Sequence, residues 1–365
     1  MGTVCCIGRE GHKKPRQSPA GPGCLLGTSP RNAETKPDSH LAPKEALFSL
    51  PIRQEELDNA FRSVLGHVHG IHTASQFSAP CAAERETAAF GEVHGAHFAC
   101  QKGFKDEEEA NQDNFSVTRF KSGHTLACVC DGHGRCGHKQ LRFDGTLTDA
   151  DIEQGLVTVF NQAHKDVVAH AAEAKYDASH SGATAVVALF KDNEIWTAHV
   201  GDSKVVIGSE EDESLVHASQ DHTPDRQAET ERIQACGGEV RTPQHADGAL
   251  DSPRVYVGGS KFPGLAMARC LGDDAVKKYG IIAEPEVSKT TVDPCKKPFV
   301  FLATDGVWQF MDADYVAHGI ARMLKQVSAD GVLKRVQELS HDKWGDNTDY
   351  SYCDDITSLL IFPTS

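Results

Sequence analysis

Five aspartates share one kind of neighbourhood. Asp113 lies in EANQDNFSV, Asp131 in VCDGHG, Asp202 in VGDSK, Asp305 in LATDGVW and Asp354 in YCDDITSLLIF, each beside small or polar residues at the edge of an apolar run. A hard divalent cation takes oxygen ligands, and a short carboxylate fixed at a strand end can hold one while leaving room for water. A single Asp-Gly pair is also what a tight turn requires. It is the recurrence beside apolar strands that points to a metal centre. His133, two residues after Asp131, adds a group whose ordinary pKa lies near neutral pH and which can pass a proton during a reaction. There is no GxxxxGK[ST] phosphate loop, so nucleotide hydrolysis and kinase chemistry lack their usual positional support. Cys130, Cys136 and Cys270 lie close to these motifs and read as inert thiols.

Elements that could position such residues follow from the periodicity. Short apolar runs predict strands over 125–130, 183–190, 194–199, 204–207, 299–304 and 356–362. Over 151–174 the apolar positions Leu156, Val159, Phe160, Ala163, Val167 and Val168 recur at spacings near three and four, which predicts an amphipathic helix. Similar patterns occupy 227–236 and the region around 312–339. Strands alternating with such helices predict an α+β layered domain, with helices covering sheet faces.

Composition narrows the function. The 365 residues carry 37 basic against 52 acidic side chains, a formal charge of -15, which disfavours long-range attraction to nucleic acid. Twelve scattered cysteines with no secretory signal ahead of them suit reduced thiols in an intracellular, cytoplasmic protein. No run approaches the roughly 18 to 20 apolar residues that a bilayer crossing needs. Gly2, followed by Cys5 and Cys6, could accept myristoyl and palmitoyl groups, with Arg9, Lys13, Lys14 and Arg16 adding attraction to the inner face of a membrane.

Residues 1–45 are rich in Pro, Gly, Ser and Lys and read as a flexible tail. Residues 46–94 form an extension of unassigned role, with a short helix expected at about 53–65. Within and just after it, GHVHGIHTASQ (66–76) and GEVHGAHFACQ (91–101) share seven of eleven positions, too few copies to indicate a solenoid. The catalytic region is expected over 95–365.

Ten short stretches, in order, give the chain a resemblance: NQD (111–113), DGHG (131–134), SGATA (181–185), VGDSK (200–204), QDHTPD (220–225), ERIQACGG (231–238), PGLAMARCLGD (263–273), AEPEV (283–287), ATDGVW (303–308) and DDIT (354–357). The chain resembles the PP2C, or PPM, family of metal-dependent protein serine/threonine phosphatases over about residues 95–363. The resemblance implies a β-sandwich of two antiparallel sheets flanked by helices. It implies Mg²⁺ or Mn²⁺, as two ions with a third, weaker position, and substrates that are phosphoserine or phosphothreonine proteins.

By the same resemblance Asp131 bridges two ions, Gly132 offers its carbonyl, Asp305 and Asp354 complete the pair, Asp113 supports the water network, and Asp202 belongs to the third position. His133 is implied as the general acid, in a direct hydrolysis by metal-activated water without a phosphoenzyme. Three departures accompany the match. Gln112 stands where many animal members have Glu, Glu108 where they have a phosphate-contacting Arg, and Gln309 where many relatives have Asp. Gln112 reads as a tolerated variant, while Glu108 and Gln309 leave a catalytically weak or inactive, phosphatase-like interaction module as the alternative. The segment 252–280 resembles the family stretch that joins flap to core, within which Arg269 is read as a structural ion-pair partner rather than a phosphate ligand.

Overall fold

The computed structural model describes residues 73–80, 89–93, 95–103, 111–120, 124–134, 152–244 and 251–363. The acylation positions Gly2, Cys5 and Cys6, the helix expected at 53–65, and residues Lys105, Glu108 and Cys136 lie outside them. Along the chain the first strands are β1 (Thr73–Pro80), β2 (Ala89–Val93), β3 (Ala96–Gln101), β4 (Asp113–Phe120) and β5 (Thr125–His133), followed by helix α1 (Ile152–Ala174). Next come β6 (Gly182–Ala183), β7 (Ala185–Lys191), β8 (Glu194–Val200), β9 (Lys204–Ser209), β10 (Ser214–Ala218) and α2 (Gln227–Ala235). Three strands, β11 (Gly238–Arg241), β12 (Arg254–Val257) and β13 (Pro263–Leu265), make a small sheet of their own. The rest is β14 (Leu271–Gly272), α3 (Asp274–Lys277), β15 (Glu286–Thr291), β16 (Pro298–Ala303), α4 (Asp305–Trp308), α5 (Ala313–Leu324), α6 (Ala329–Thr348) and β17 (Ile356–Ile361).

Two antiparallel sheets carry the architecture. One has the order β1-β4-β5-β7-β8-β15, with β6 and β14 attached beside β5, and the other has the order β10-β9-β16-β17-β3-β2. Phe98 on β3 and Phe115 on β4 stack across from one sheet to the other, with ring centroids 4.6 Å apart. Helix α1 lays Leu156, Val159, Phe160 and Ala163 on the outer face of the first sheet, against Leu126, Cys128, Cys130, Val187 and Leu189. This is the apolar stripe expected from the sequence, and its burial is the main reason a 23-residue helix with a modest intrinsic preference stays folded. Val316, Ile320, Val332, Leu333 and Trp344 of α5 and α6 cover Phe299, Phe301 and Ala303 of the second sheet in the same way.

The helical pattern around 312–339 resolves into two helices rather than one. Ser328 caps the second by accepting a hydrogen bond from the Gly331 N–H at 3.3 Å, and Asp312 caps the first from Tyr315 N at 2.8 Å. Cysteines 128, 130, 236, 270, 295 and 353 are free thiols. Cys100 departs from the expectation of reduced thiols, because it is disulfide-bonded.

Candidate metal centre

The five aspartates come from elements that converge at one end of the sandwich. Asp113 and Asp131 face each other in register as the terminal pair of the β4–β5 ladder. Strand β5 runs on through Asp131, Gly132 and His133 instead of stopping at the Asp-Gly pair, because Gly132 and His133 find partners on β6. The Asp131 backbone is pinned on both sides: its N–H donates to Thr184 Oγ1 at 3.0 Å, and its carbonyl accepts from Thr184 N at 2.8 Å.

Asp305 opens α4 directly after β16, and Asp354 precedes β17, the neighbour of β16. The Asp305 carboxyl is pushed well above the ordinary carboxylate range by burial first, then by the charges of Asp131, Asp354 and Asp202 and by a hydrogen bond with Asp131. Its Oδ1 is buried without a hydrogen-bond partner. Asp202, in the turn between β8 and β9, is pushed up to about 6 by burial and then by Asp221, with Asp354 adding to it, and its Oδ1 is likewise buried and unpartnered. Four carboxylates therefore act on one another at a half-buried point, and two of them have an oxygen with no hydrogen-bond partner among the described residues.

Four like charges crowded into one half-buried place are costly unless a cation or protons join them. The donor set is all oxygen, which suits Mg²⁺, Mn²⁺ or Ca²⁺ better than a thiophilic metal. On the orphaned oxygens and the donor chemistry, the residues fit divalent cations.

The supporting shell contains residues that sequence reasoning passed over. Thr304 donates to Asp113 Oδ2 at 2.9 Å and accepts from Thr357 N at 3.1 Å, which ties β4, β16 and β17 together. Asp355, the second acid of DDIT, accepts from Gly103 N and Gln112 N, each at 2.8 Å, and so locks the chain on either side of 104–110 to the start of β17. Asp354 itself accepts from Asp355 N at 2.9 Å and from the Tyr352 hydroxyl at 3.1 Å. The one signal in the sequence was the doubled acid in DDIT. Gln112 donates its Nε2 to the Gly134 carbonyl at 2.7 Å, a bond that the Glu of many relatives could not make as a carboxylate. Gly306 is required by packing, since a Cβ there would press into the Asp355 carbonyl.

His133 sits beside this cluster with Nε2 2.5 Å from Asp273 Oδ2. Burial alone would lower its pKa, but the Asp273 carboxylate, the hydrogen bond to it and the charge of Asp202 together raise it above the usual value. His133, Cys270 and Asp273 also offer ligand atoms within 4.8 Å of one another, a spacing that can hold a metal ion. Arg269 is paired with Glu229, Nη2 to Oε1 at 2.6 Å, which agrees with its reading as a structural ion pair.

The family model described as Protein phosphatase 2C matches residues 80–342. The chain belongs to the PP2C family. Among curated relatives, "Probable protein phosphatase 2C 72" of Arabidopsis thaliana is 31% identical over 279 residues, covering 69% of this chain and 81% of that protein. "Probable protein phosphatase 2C 35" of the same plant is 28% identical over 294 residues, 72% of this chain and 81% of its own. In fold, this PP2C chain is similar to a serine-threonine phosphatase 2C from Toxoplasma gondii, with a TM-score of 0.59 at 19% identity over 79% of this chain and 99% of that one. The sandwich of two antiparallel sheets between helices is the PP2C architecture anticipated from the motifs.

Proposed function

We propose that this PP2C chain hydrolyses phosphoserine and phosphothreonine esters of protein substrates at the carboxylate cluster described above. The observation that carries the reading is the convergence of Asp131, Asp202 and Asp354 on the half-buried Asp305. Asp131, the Gly132 carbonyl, Asp305 and Asp354 would hold two divalent cations, Mg²⁺ or Mn²⁺, with Asp113 supporting them and Asp202 serving a third. Bound there, such cations supply a nucleophile from water and neutralise charge on the transferring phosphoryl group.

The chain's own residues do the remaining work. Thr304 and Asp355 keep the carboxylates in register from behind, so that binding a phosphate ester needs little rearrangement of the strand ends. His133 gives a proton to the departing serine or threonine oxygen, which would otherwise leave as a poorly stabilised alkoxide. No described helix is long and apolar enough to cross a membrane. Attachment through acylated Gly2, Cys5 and Cys6 belongs to the same proposal, and a Gly2→Ala chain should then leave the membrane fraction.

Phosphate release from phosphothreonine and phosphoserine peptides tests the reading. Activity is expected with Mn²⁺ or Mg²⁺, and is expected to disappear on chelation and in Asp131→Ala and Asp305→Ala chains. Turnover that persists through chelation and both substitutions would overturn it. Inactivity of folded, metal-loaded wild type on many phosphoproteins would instead identify an interaction module.

A further inference from the structure

One interaction joins three of the short motifs. Strands β5, β6 and β14 form a narrow ladder in which His133 pairs with Gly182, and Gly182 pairs in turn with Gly272. Gly182 is thus the middle rung between His133 and the residue after Gly272, which is Asp273. A Cβ at Gly182 would lie 2.7 Å from His133 Nε2 and would press on Asp273 Oδ2. With no side chain there, the imidazole and the carboxylate meet over the rung at 2.5 Å.

Asp273 is unusually well fixed for a carboxylate. It is 3% exposed, its N–H donates to Ser181 O at 2.9 Å, and its φ of 48° is a left-handed conformation that Asp tolerates better than most residues. Cys270 Sγ donates to the same Oδ2 at 3.2 Å, and Lys277 Nζ reaches the Cys270 carbonyl at 2.6 Å and Sγ at 3.2 Å. A metal ion among His133, Cys270 and Asp273 would have to displace that ammonium and the two hydrogen bonds, so the trio serves better as a hydrogen-bond network. The other ring nitrogen of His133, Nδ1, is buried with no hydrogen-bond partner among the described residues.

We propose that Asp273 is a positioning residue for His133, holding Nε2–H so that Nδ1 carries the proton delivered to the leaving oxygen. This rests on the general-acid reading of His133. In the imidazolium both nitrogens are protonated. Asp273 takes the Nε2–H bond. Nδ1, covered in the substrate-free chain, must be uncovered for its N–H to reach the ester oxygen. That proton then moves to the oxygen as its bond to phosphorus breaks, which leaves neutral imidazole still bound to Asp273. Cys270 and Lys277 hold the carboxylate in place from the far side.

The test compares two esters on metal-loaded full chains. A phosphothreonine peptide needs a proton on its leaving oxygen, whereas p-nitrophenyl phosphate releases a stable anion and does not. Asp273→Asn, which preserves shape, is expected to lower kcat on the peptide by about 10- to 100-fold with KM within about 2-fold, and kcat on p-nitrophenyl phosphate by less than about 3-fold. In a His133→Gln background the same change should cost less than about 2-fold more, because the two residues act as one unit. Equal losses on the two esters, or multiplying losses in the double variant, would overturn the assignment.

A second measurement needs no variant. Proton-detected nitrogen NMR of the wild-type chain should show a His133 Nε2–H signal shifted by a carboxylate, and a hydrogen-bonded proton on Nδ1 but not on Nε2 would contradict it. If His133→Gln itself loses no more on the peptide than on p-nitrophenyl phosphate, the general-acid reading fails. If His133→Gln discriminates between the esters and Asp273→Asn does not, only the role of Asp273 fails.

Discussion

Neutralising Asp202 should stabilise the metal-free protein while weakening its response to metal. The carboxyl is pushed from 3.8 to about 6, chiefly by burial and then by Asp221. A raised carboxyl pKa means that the folded state carries a cost whenever the group is ionised. That cost is complete above pH 6, shrinks as the pH falls toward 3.8 and vanishes below it. At about 1.4 kcal/mol per pKa unit, the shift corresponds to about 3 kcal/mol at pH 7.5.

Asp202→Asn removes the charge and keeps the shape. In chelator at pH 7.5 it should therefore raise Tm by about 4 to 6 °C, taking under about 2 °C per kcal/mol because the shift per kcal/mol shrinks as chains lengthen. The benefit should fall to roughly half near pH 5, and the Tm increase on adding Mn²⁺ should be smaller than in wild type. Scanning calorimetry in chelator at the two pH values, with and without Mn²⁺, measures all three quantities. An Asp202→Asn chain that is no more stable than wild type at pH 7.5, or whose advantage is the same at pH 5, would show that the carboxylates do not repel one another as described.

Other consequences follow from the surrounding shell. Asp355→Ala strands the Gly103 and Gln112 N–H groups, and by the usual worth of hydrogen bonds to a charged acceptor should destabilise the fold by about 3 to 5 kcal/mol in denaturant titrations. Gly182→Ala forces His133 and Asp273 apart, and should cost about 1 to 3 kcal/mol of stability together with most of the peptide activity. His199 and His222 stack with ring centroids 4.4 Å apart. Burial holds both neutral, with the charges of Arg226, Arg232 and Arg269 adding to this at His222, against Glu286 and Asp221, which favour the charged form at His199. Their folded pKa values lie below 6.5, so the stability they contribute is present above about pH 6.5 and lost as the pH falls below it. Urea unfolding in chelator should show a decline on that side that His222→Phe reduces.

Much of the architecture was legible because it rests on apolar periodicity. The runs at 125–130, 194–199 and 299–304 became strands within a few residues of expectation, and the stripe on 151–174 became the buried face of α1. Strands β1 to β4 were among those not read; a segment such as TASQFSAP has no sustained alternation and is organised by pairing with β4. Two-residue strands such as β6 and β14 are invisible for a related reason: they exist only as rungs between longer elements.

The aspartates were legible as metal-ligand types, but their supporters were not. Asp273, Asp355 and Thr304 act through contacts spanning 140, 252 and 191 residues of chain, and no local pattern encodes such partners. Arg269 was read as structural from its place in the family-like segment 252–280, and its acid partner, Glu229 on α2, lies 40 residues earlier, where no local pattern names it.

Asp131, Asp305 and Asp354 are proposed to hold divalent cations together where the phosphate reacts. A crystal structure of the chain grown with Mn²⁺, with anomalous scattering measured at the manganese edge, tests it most directly. Two strong anomalous peaks are expected between these three side chains and the Gly132 carbonyl, both absent from crystals of Asp131→Ala. Manganese found only at other positions, or three carboxylates that remain unliganded at saturating Mn²⁺, would contradict it.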